Sequence, residues 1–325
     1  MSTKTFKQIT KKDVDIAGGK GASLGEMTNA KMKIPPGFII LASTFDSFLK
    51  TSKLATDKNE KTEFDLDVAI QAELNKVNYK DINTIDRASN VIHDLINDAQ
   101  CPRDIEKEIF DEFKKLGAKE VAVRSSATAE DSSIASWAGE LETYLNVKKP
   151  ELLSSVKKCW ASLFTPRAIF YRYEKKLHKT KVSVAVVVQK MVQSDVSGIC
   201  FTAHPVTNDR NQIVIEAGYG LGEAIVGGMI TPDTYIIDKN SGDPYILDKN
   251  ISEQKMMITK TSKGTKETKI LKSKQEKQKL SDSKIFKLAK MCLAIEKHYK
   301  KPQDIEWAME KNILYITQSR PITTL

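Results

Sequence analysis

Residues 303–309 and 313–321 read Gln-Asp-Ile-Glu-Trp-Ala-Met and Ile-Leu-Tyr-Ile-Thr-Gln-Ser-Arg-Pro, and their alternation with a period of two commits this end of the chain to a β-hairpin. Register decides what its polar groups can do. With a three-residue loop at 311–313, Glu306 lies opposite Gln318 and Asp304 opposite Arg320, so two carboxylates, an amide and a guanidinium share one face. A two-residue loop divides the same set between two faces. Carboxylate and amide oxygens are hard ligands suited to Mg²⁺, and an Arg fork suits phosphate. The face therefore reads either as a metal-nucleotide platform or as the wetted side of a half-buried strand.

Two further segments bear on that choice. Gly18-Gly19-Lys20-Gly21-Ala22-Ser23-Leu24-Gly25-Glu26-Met27 sets glycines ahead of a short helix, where backbone N–H groups can meet an anion and Lys20 adds a mobile charge. It lacks the spacing of a Walker P-loop. In the middle of the chain an apolar strand, 121–123, delivers Arg124 into Ser125-Ser126-Ala127-Thr128-Ala129-Glu130-Asp131. A fixed cation then stands beside a donor-rich loop, which is how phosphates are held.

Together these segments resemble the N-terminal nucleotide-binding domain of the phosphoenolpyruvate synthase (pyruvate, water dikinase) and pyruvate phosphate dikinase family, of the ATP-grasp type. The resemblance runs from about Ala17 to Pro321. It rests on GGKGASLGEM, IPPGF, VAVRSSATAEDS, ASWAGELETYLNV, QKMVQSDVSGICFTAHPVT, GYGLGEAIVGG, TPDTY, QDIEWAM and YITQSRP, all in the family's order. It implies that Lys20, Arg124 and Arg320 are ATP phosphate-binding cations with the catalytic role, and that Glu306 and Gln318 are Mg²⁺ ligands with Asp304 at a neighbouring acidic position of the metal site. It also implies that Gly139 and Thr143 belong to a small loop closing over the phosphates. Gln189, Lys190, Met191 and Val192 would form a hinge that meets the adenine edge, and Glu223 would be an acidic, cofactor-binding position near the cleft. The implied reaction passes the βγ-diphosphate of Mg·ATP to a histidine on a separate swivelling domain. Alternatives are the nucleotide domain of a rifampicin phosphotransferase-like dikinase, or an ATP-binding regulatory subunit without turnover.

The implied carrier histidine sits in a Gly-Gly-x-Thr-Ser-His type motif that this sequence lacks. His204 stands where family members more often carry Asn or Asp, and His93, His178 and His298 have helical, structural contexts. A histidine phosphocarrier domain and a pyruvate/PEP-binding barrel are thus expected from another chain. No signal-peptide core and no membrane-length apolar stretch is found, and the four cysteines are widely spaced, which reads as a cytoplasmic enzyme with reduced, mostly buried thiols.

Of the net charge of +9, the stretch from Lys249 to Lys301 holds sixteen Lys, no Arg and five acids, or +11; the other 35 basic and 37 acidic residues give −2. Lysine without Arg forks or stacking rings is no base reader, so this reads as the solvated face of a hairpin and a helix, with no specific nucleic-acid partner. Helices are expected at 63–77, 84–98, 102–116, 150–163, 166–177 and 281–299, and one capped by Ser43 or Thr44. Strands are expected at 182–191, 196–202, 212–217 and 233–238. A helix-rich lobe at 1–181 followed by a strand-rich lobe at 182–325 makes an α+β, bilobal architecture.

Overall fold

The computed structural model describes residues 1–52, 65–128, 142–177, 182–239, 244–261, 264–323 and 325. Its fold class is α+β, as expected, in two compact units: Met1–Glu26 with Pro36–Met191, and Met27–Pro35 with Val192–Leu325. The expected change of lobe, between 181 and 182, falls ten residues before the passage from Met191 to Val192. The cause is the run 184–190, a strand that hydrogen-bonds into the first sheet.

The first unit contains β1 (Thr3–Thr5), α1 (Val14–Asn29, whose last three residues belong to the second unit), β2 (Gly37–Ile40), α2 (Ala42–Thr51), α3 (Leu66–Leu74), α4 (Ile82–Asp98), α5 (Arg103–Leu116), β3 (Val121–Ala127), β4 (Thr143–Val147), α6 (Leu152–Ala161), α7 (Pro166–Glu174) and β5 (Val184–Lys190). Among the described residues its five strands are antiparallel in the order β1-β2-β5-β3-β4. Alternation sorts them into two faces. Phe38, Ile40, Val121, Val123, Ala127, Val184, Val186 and Val188 meet the helical core, where Trp160 of α6 lies 4.7 Å from Phe48 and 5.8 Å from Phe45, centroid to centroid. α4 follows the 3–4 spacing of Ile85, Ala88, Ile92 and Ile96, all buried, and Asp81 caps it by accepting from the Asn83 amide at 3.0 Å. α5 starts after Pro102 with Asp104 and Glu106 in its first turn and ends at Gly117 in the left-handed region. α2 is not capped by Ser43 or Thr44. It begins at Ala42, and the Thr44 hydroxyl instead donates to the Ser2 carbonyl at 2.7 Å, tying the helix to the N-terminal strand.

The second unit contains β6 (Val196–Phe201), β7 (Gln212–Tyr219), α8 (Glu223–Val226), β8 (Asp233–Asp238), β9 (Tyr245–Asn250), β10 (Met256–Thr261), β11 (Gly264–Lys269), α9 (Lys272–Gln275), α10 (Asp282–Tyr299), β12 (Gln303–Glu310) and β13 (Ile313–Pro321). Among the described residues six strands form an antiparallel sheet in the order β13-β12-β6-β7-β8-β9, and β10 pairs with β11. One face of the larger sheet, with Ile305, Trp307, Cys200, Ile215 and Ala217, is buried; α10 packs on it through Ile285, Leu288, Ala289, Cys292 and Ile295. The lysine-rich stretch is the hairpin β10–β11 and the helix α10 expected of it. Cys159, Cys200 and Cys292 are buried, Cys101 is half-buried, and all four are free. Among the described residues no helix is long and apolar enough to cross a membrane.

An ion pair excluded from water anchors the lysine-rich stretch. Asp233, from TPDTY, and Lys279 are both fully buried, with Oδ1 and Nζ 2.8 Å apart. The Tyr235 hydroxyl and the Lys279 amide donate to Asp233 Oδ2 at 2.7 and 2.8 Å, and the Ser252 amide donates to Oδ1 at 3.0 Å. Lys279 Nζ also donates to the Ser252 carbonyl and lies over the Tyr219 ring.

Candidate functional site

In the first unit the site residues gather on the sheet face opposite the helical core. Arg124 pairs with Thr143 on β4 and with Val187 on β5, while Gln189 pairs with Ala122 and Gly37. Arg124 and Gln189 are buried and Thr143 is exposed. α1 packs on this same face. Its helical run is broken at Gly18, which has φ +68° and ψ 172°, so Lys20 sits just inside the start of the segment 19–29. Ser126, two residues beyond Arg124 and on its face, holds the break: its hydroxyl donates to the Ala17 carbonyl at 3.0 Å and accepts from the Gly21 amide at 3.2 Å. This is an N-cap supplied by a distant strand. The Lys20 segment is thereby docked on the strand that carries Arg124. Ser125, facing the other way, donates from both its amide and its hydroxyl to the Glu142 carbonyl, fixing the chain that leads into Thr143. Gly139 lies outside the described residues. The Lys190 and Met191 amides donate to the carbonyls of Pro36 and Glu120, and the chain passes from one unit to the other between Met191 and Val192.

In the second unit the hairpin delivers the expected pairs by an unexpected route. Asp304 is opposite Arg320 and Glu306 opposite Gln318. The loop, however, is two residues, Lys311 and Asn312, at φ 48° and 66°, the positive-φ pair of a type I′ turn. A bulge between Glu306 and Trp307 leaves Thr317 as an extra residue on β13 and shifts the register back by one. The expected three-residue loop is therefore replaced by a tighter turn plus a bulge, with the same residues facing each other.

Arg320 donates from Nε, and makes an ion contact from Nη2, to the same Asp304 oxygen, each at 2.9 Å, and keeps 42% of its side chain exposed. Burial pushes the Asp304 carboxyl above its usual value, Arg320 opposes this, and Glu306 adds to it. Sequence reading missed Glu216. It lies on β7 opposite Ile199 of β6, which in turn opposes Glu306, so Glu216 belongs to the polar face two strands away. Burial raises its carboxyl too, with Asp304 contributing. The signal was present in Ile213-Val214-Ile215-Glu216, an acid at an otherwise apolar strand position. Glu223 opens α8 and is exposed.

His204 has a structural task. Its Nδ1 accepts from the amides of Val206 and Thr207, both at 3.2 Å, as an Asn or Asp oxygen would. His204→Asn should leave unfolding free energy within about 0.5 kcal/mol of wild type, and His204→Ala should cost about 1 kcal/mol, measured by urea titration. Equal losses in the two variants would remove this account. His93 is half-buried on α4, where burial lowers its pKa, and His298 packs edge-on to Tyr299; His178 lies outside the described residues.

A probable phosphoenolpyruvate synthase from Methanocaldococcus jannaschii is 46% identical over 98% of this chain and 26% of that protein. One from Archaeoglobus fulgidus is 45% identical over 98% of this chain and 41% of that protein. The rifampicin phosphotransferase of Bacillus subtilis is 38% identical over 98% and 35%. The chain thus spans between about a quarter and a half of the length of these relatives. Among solved structures, D-alanine–D-alanine ligase from Helicobacter pylori matches at 13% identity over 62% of this chain and 42% of that one, with a TM-score of 0.26, too slight a likeness to argue from. The profile of the pyruvate phosphate dikinase AMP/ATP-binding domain covers residues 14–325, and the chain belongs to that family.

Proposed function

We propose that this chain is the Mg·ATP-binding, phosphoryl-transferring domain of a phosphoenolpyruvate synthase-type dikinase of the ATP-grasp class. The observation that carries the reading is the β12–β13 register, which pairs Glu306 with Gln318 and Arg320 with Asp304 on the polar face of an AMP/ATP-binding family member. In the first unit Lys20 and Arg124 supply cations for phosphate oxygens. In the second, Asp304 orients the Arg320 fork toward a phosphoryl group, while Glu306 and Gln318 offer hard oxygens to Mg²⁺. Among the described residues no group of three or more His, Cys, Asp or Glu could hold a metal unaided. That donor set fits an ion whose remaining ligands are nucleotide phosphates and water. Bound Mg²⁺ would neutralise charge on the transferring phosphates. The chain's own residues position and stabilise, and none is required as a general base. The βγ-diphosphate would go to a histidine on a partner domain, with a barrel domain binding pyruvate or phosphoenolpyruvate. Relatives named for phosphoenolpyruvate synthesis support pyruvate as the final acceptor over rifampicin.

Calorimetric titration tests this. The chain should bind ATP with Mg²⁺ present and lose most of that affinity in EDTA. Glu306→Ala and Gln318→Ala should each raise the Mg²⁺ concentration needed, a loss of about 1–3 kcal/mol in Mg·ATP binding, at an unchanged thermal midpoint. An Mg²⁺ titration indistinguishable from wild type in both variants would sink the metal assignment.

A further inference from the structure

The polar sheet face of the second unit has a wall built from the chain between β7 and α8, braced by the β10–β11 hairpin. Gly218 and Glu216 share a face of β7, and a Cβ at Gly218 would come within 2.7 Å of Ile230 Cδ1 and 3.0 Å of Ile225 Cδ1. α8 therefore covers the Gly218 end of the face on which Glu216, Glu306, Asp304, Gln318 and Arg320 stand. Glu223, the first residue of α8, lies at that edge and is exposed.

The hairpin is seated against this wall at several points. Leu221 donates its amide to the Ile258 carbonyl at 2.9 Å, and Gly220, at φ +89°, approaches so closely that a Cβ there would lie 2.5 Å from the same oxygen. Gln254, at the hairpin's base, accepts from the Tyr219 amide at 2.8 Å and donates to the carbonyls of Tyr219 at 3.1 Å and Met256 at 2.9 Å. The hydroxyls of Thr259 and Thr268, 2.7 Å apart, couple the two strands. On the far strand, Thr265 donates its hydroxyl to Glu223 Oε2 at 3.3 Å.

We infer that Thr265 is a positioning residue for nucleotide binding, acting through the Glu223 carboxylate. The inference rests on the Mg·ATP reading above. An exposed Glu side chain samples many rotamers, and a hydroxyl held on a seated hairpin removes part of that freedom before the ligand arrives. A carboxylate that holds no metal accepts hydrogen bonds and repels phosphates, so in this reading Glu223 meets donor groups of the nucleoside. Thr265 thus affects recognition of the nucleoside end and leaves the polyphosphate end alone.

A double-mutant cycle tests this, with Mg·ATP and Mg·tripolyphosphate as calorimetric probes. Thr265→Val, which keeps the β-branched shape, should weaken Mg·ATP binding about fivefold at an unchanged thermal midpoint, and Thr265→Ser should restore it to within about twofold. Glu223→Ala should weaken it at least as much, and adding Thr265→Val to that variant should change nothing further. Mg·tripolyphosphate should bind equally to all four. Wild-type affinity in Thr265→Val, losses that multiply in the double variant, or an equal loss for tripolyphosphate would each overturn the inference. A wild-type chain that fails to bind Mg·ATP would instead overturn the nucleotide reading itself, and this one with it.

Discussion

Lys279→Ala is expected to cost about 3–5 kcal/mol of the second unit's stability, because it leaves the enclosed Asp233 carboxyl with its counter-charge removed. The Tyr235 hydroxyl and the amides of Ser252 and Lys279 would still point at that carboxylate, but neutral donors do not replace a cation in a site with no solvent exposure. Pairing Lys279→Met with Asp233→Asn should recover part of the loss: the buried charge is gone and the amide oxygen can keep the Tyr235 hydroxyl and the residue-279 amide, while the Ser252 amide loses its acceptor. Urea unfolding of the single and double variants measures both terms. A single-variant loss below about 1 kcal/mol would mean that water reaches the pair.

The same pair separates what could be read in the sequence from what could not. TPDTY was legible as a family segment and Lys279 as one of sixteen lysines in a solvated stretch. Nothing in composition distinguishes the buried one, because its burial depends on Asp233, 46 residues earlier, lying under the segment that follows α9. Periodic helices were legible for the opposite reason: α4, α5 and α10 bury stripes set by neighbours three and four residues away, so their existence followed from local pattern. The partners across β12 and β13 were legible and the loop between them was not. A two-residue turn with a later bulge and a three-residue loop place Glu306 and Gln318 identically, and pattern reports only the net offset. β5 was legible as a strand, but its sheet was not, since pairing with β2 and β3 is a choice among distant partners. Glu216 stayed hidden because two intervening strand pairings join it to Glu306. In the sequence Ser126 is one small hydroxyl in a donor-rich run. Its cap on the Lys20 segment joins positions more than a hundred residues apart.

That cap leads to the other large expected effect. Gly18→Ala should destabilise the first unit by about 3 kcal/mol or more. The native φ of +68° with ψ 172° lies in a region essentially closed to residues with a Cβ, which costs about 1–3 kcal/mol alone. The added methyl would also meet Ser126, with Oγ at 2.2 Å and the carbonyl oxygen at 2.3 Å, and backbone on the β3 strand cannot step aside as a flexible side chain would. Relief requires the Lys20 segment to lift from β3, which breaks the Ser126 bonds to the Ala17 carbonyl and the Gly21 amide. Lys20 is then displaced from the strand that holds Arg124, so Mg·ATP affinity should fall together with stability. Ser126→Ala separates the two effects, removing the cap without the clash: it should cost about 1–2 kcal/mol of stability and a smaller share of affinity. Urea titration and calorimetry on the two variants measure this, and a Gly18→Ala chain with wild-type stability would show that the helix break is not held where the Ser126 contacts put it.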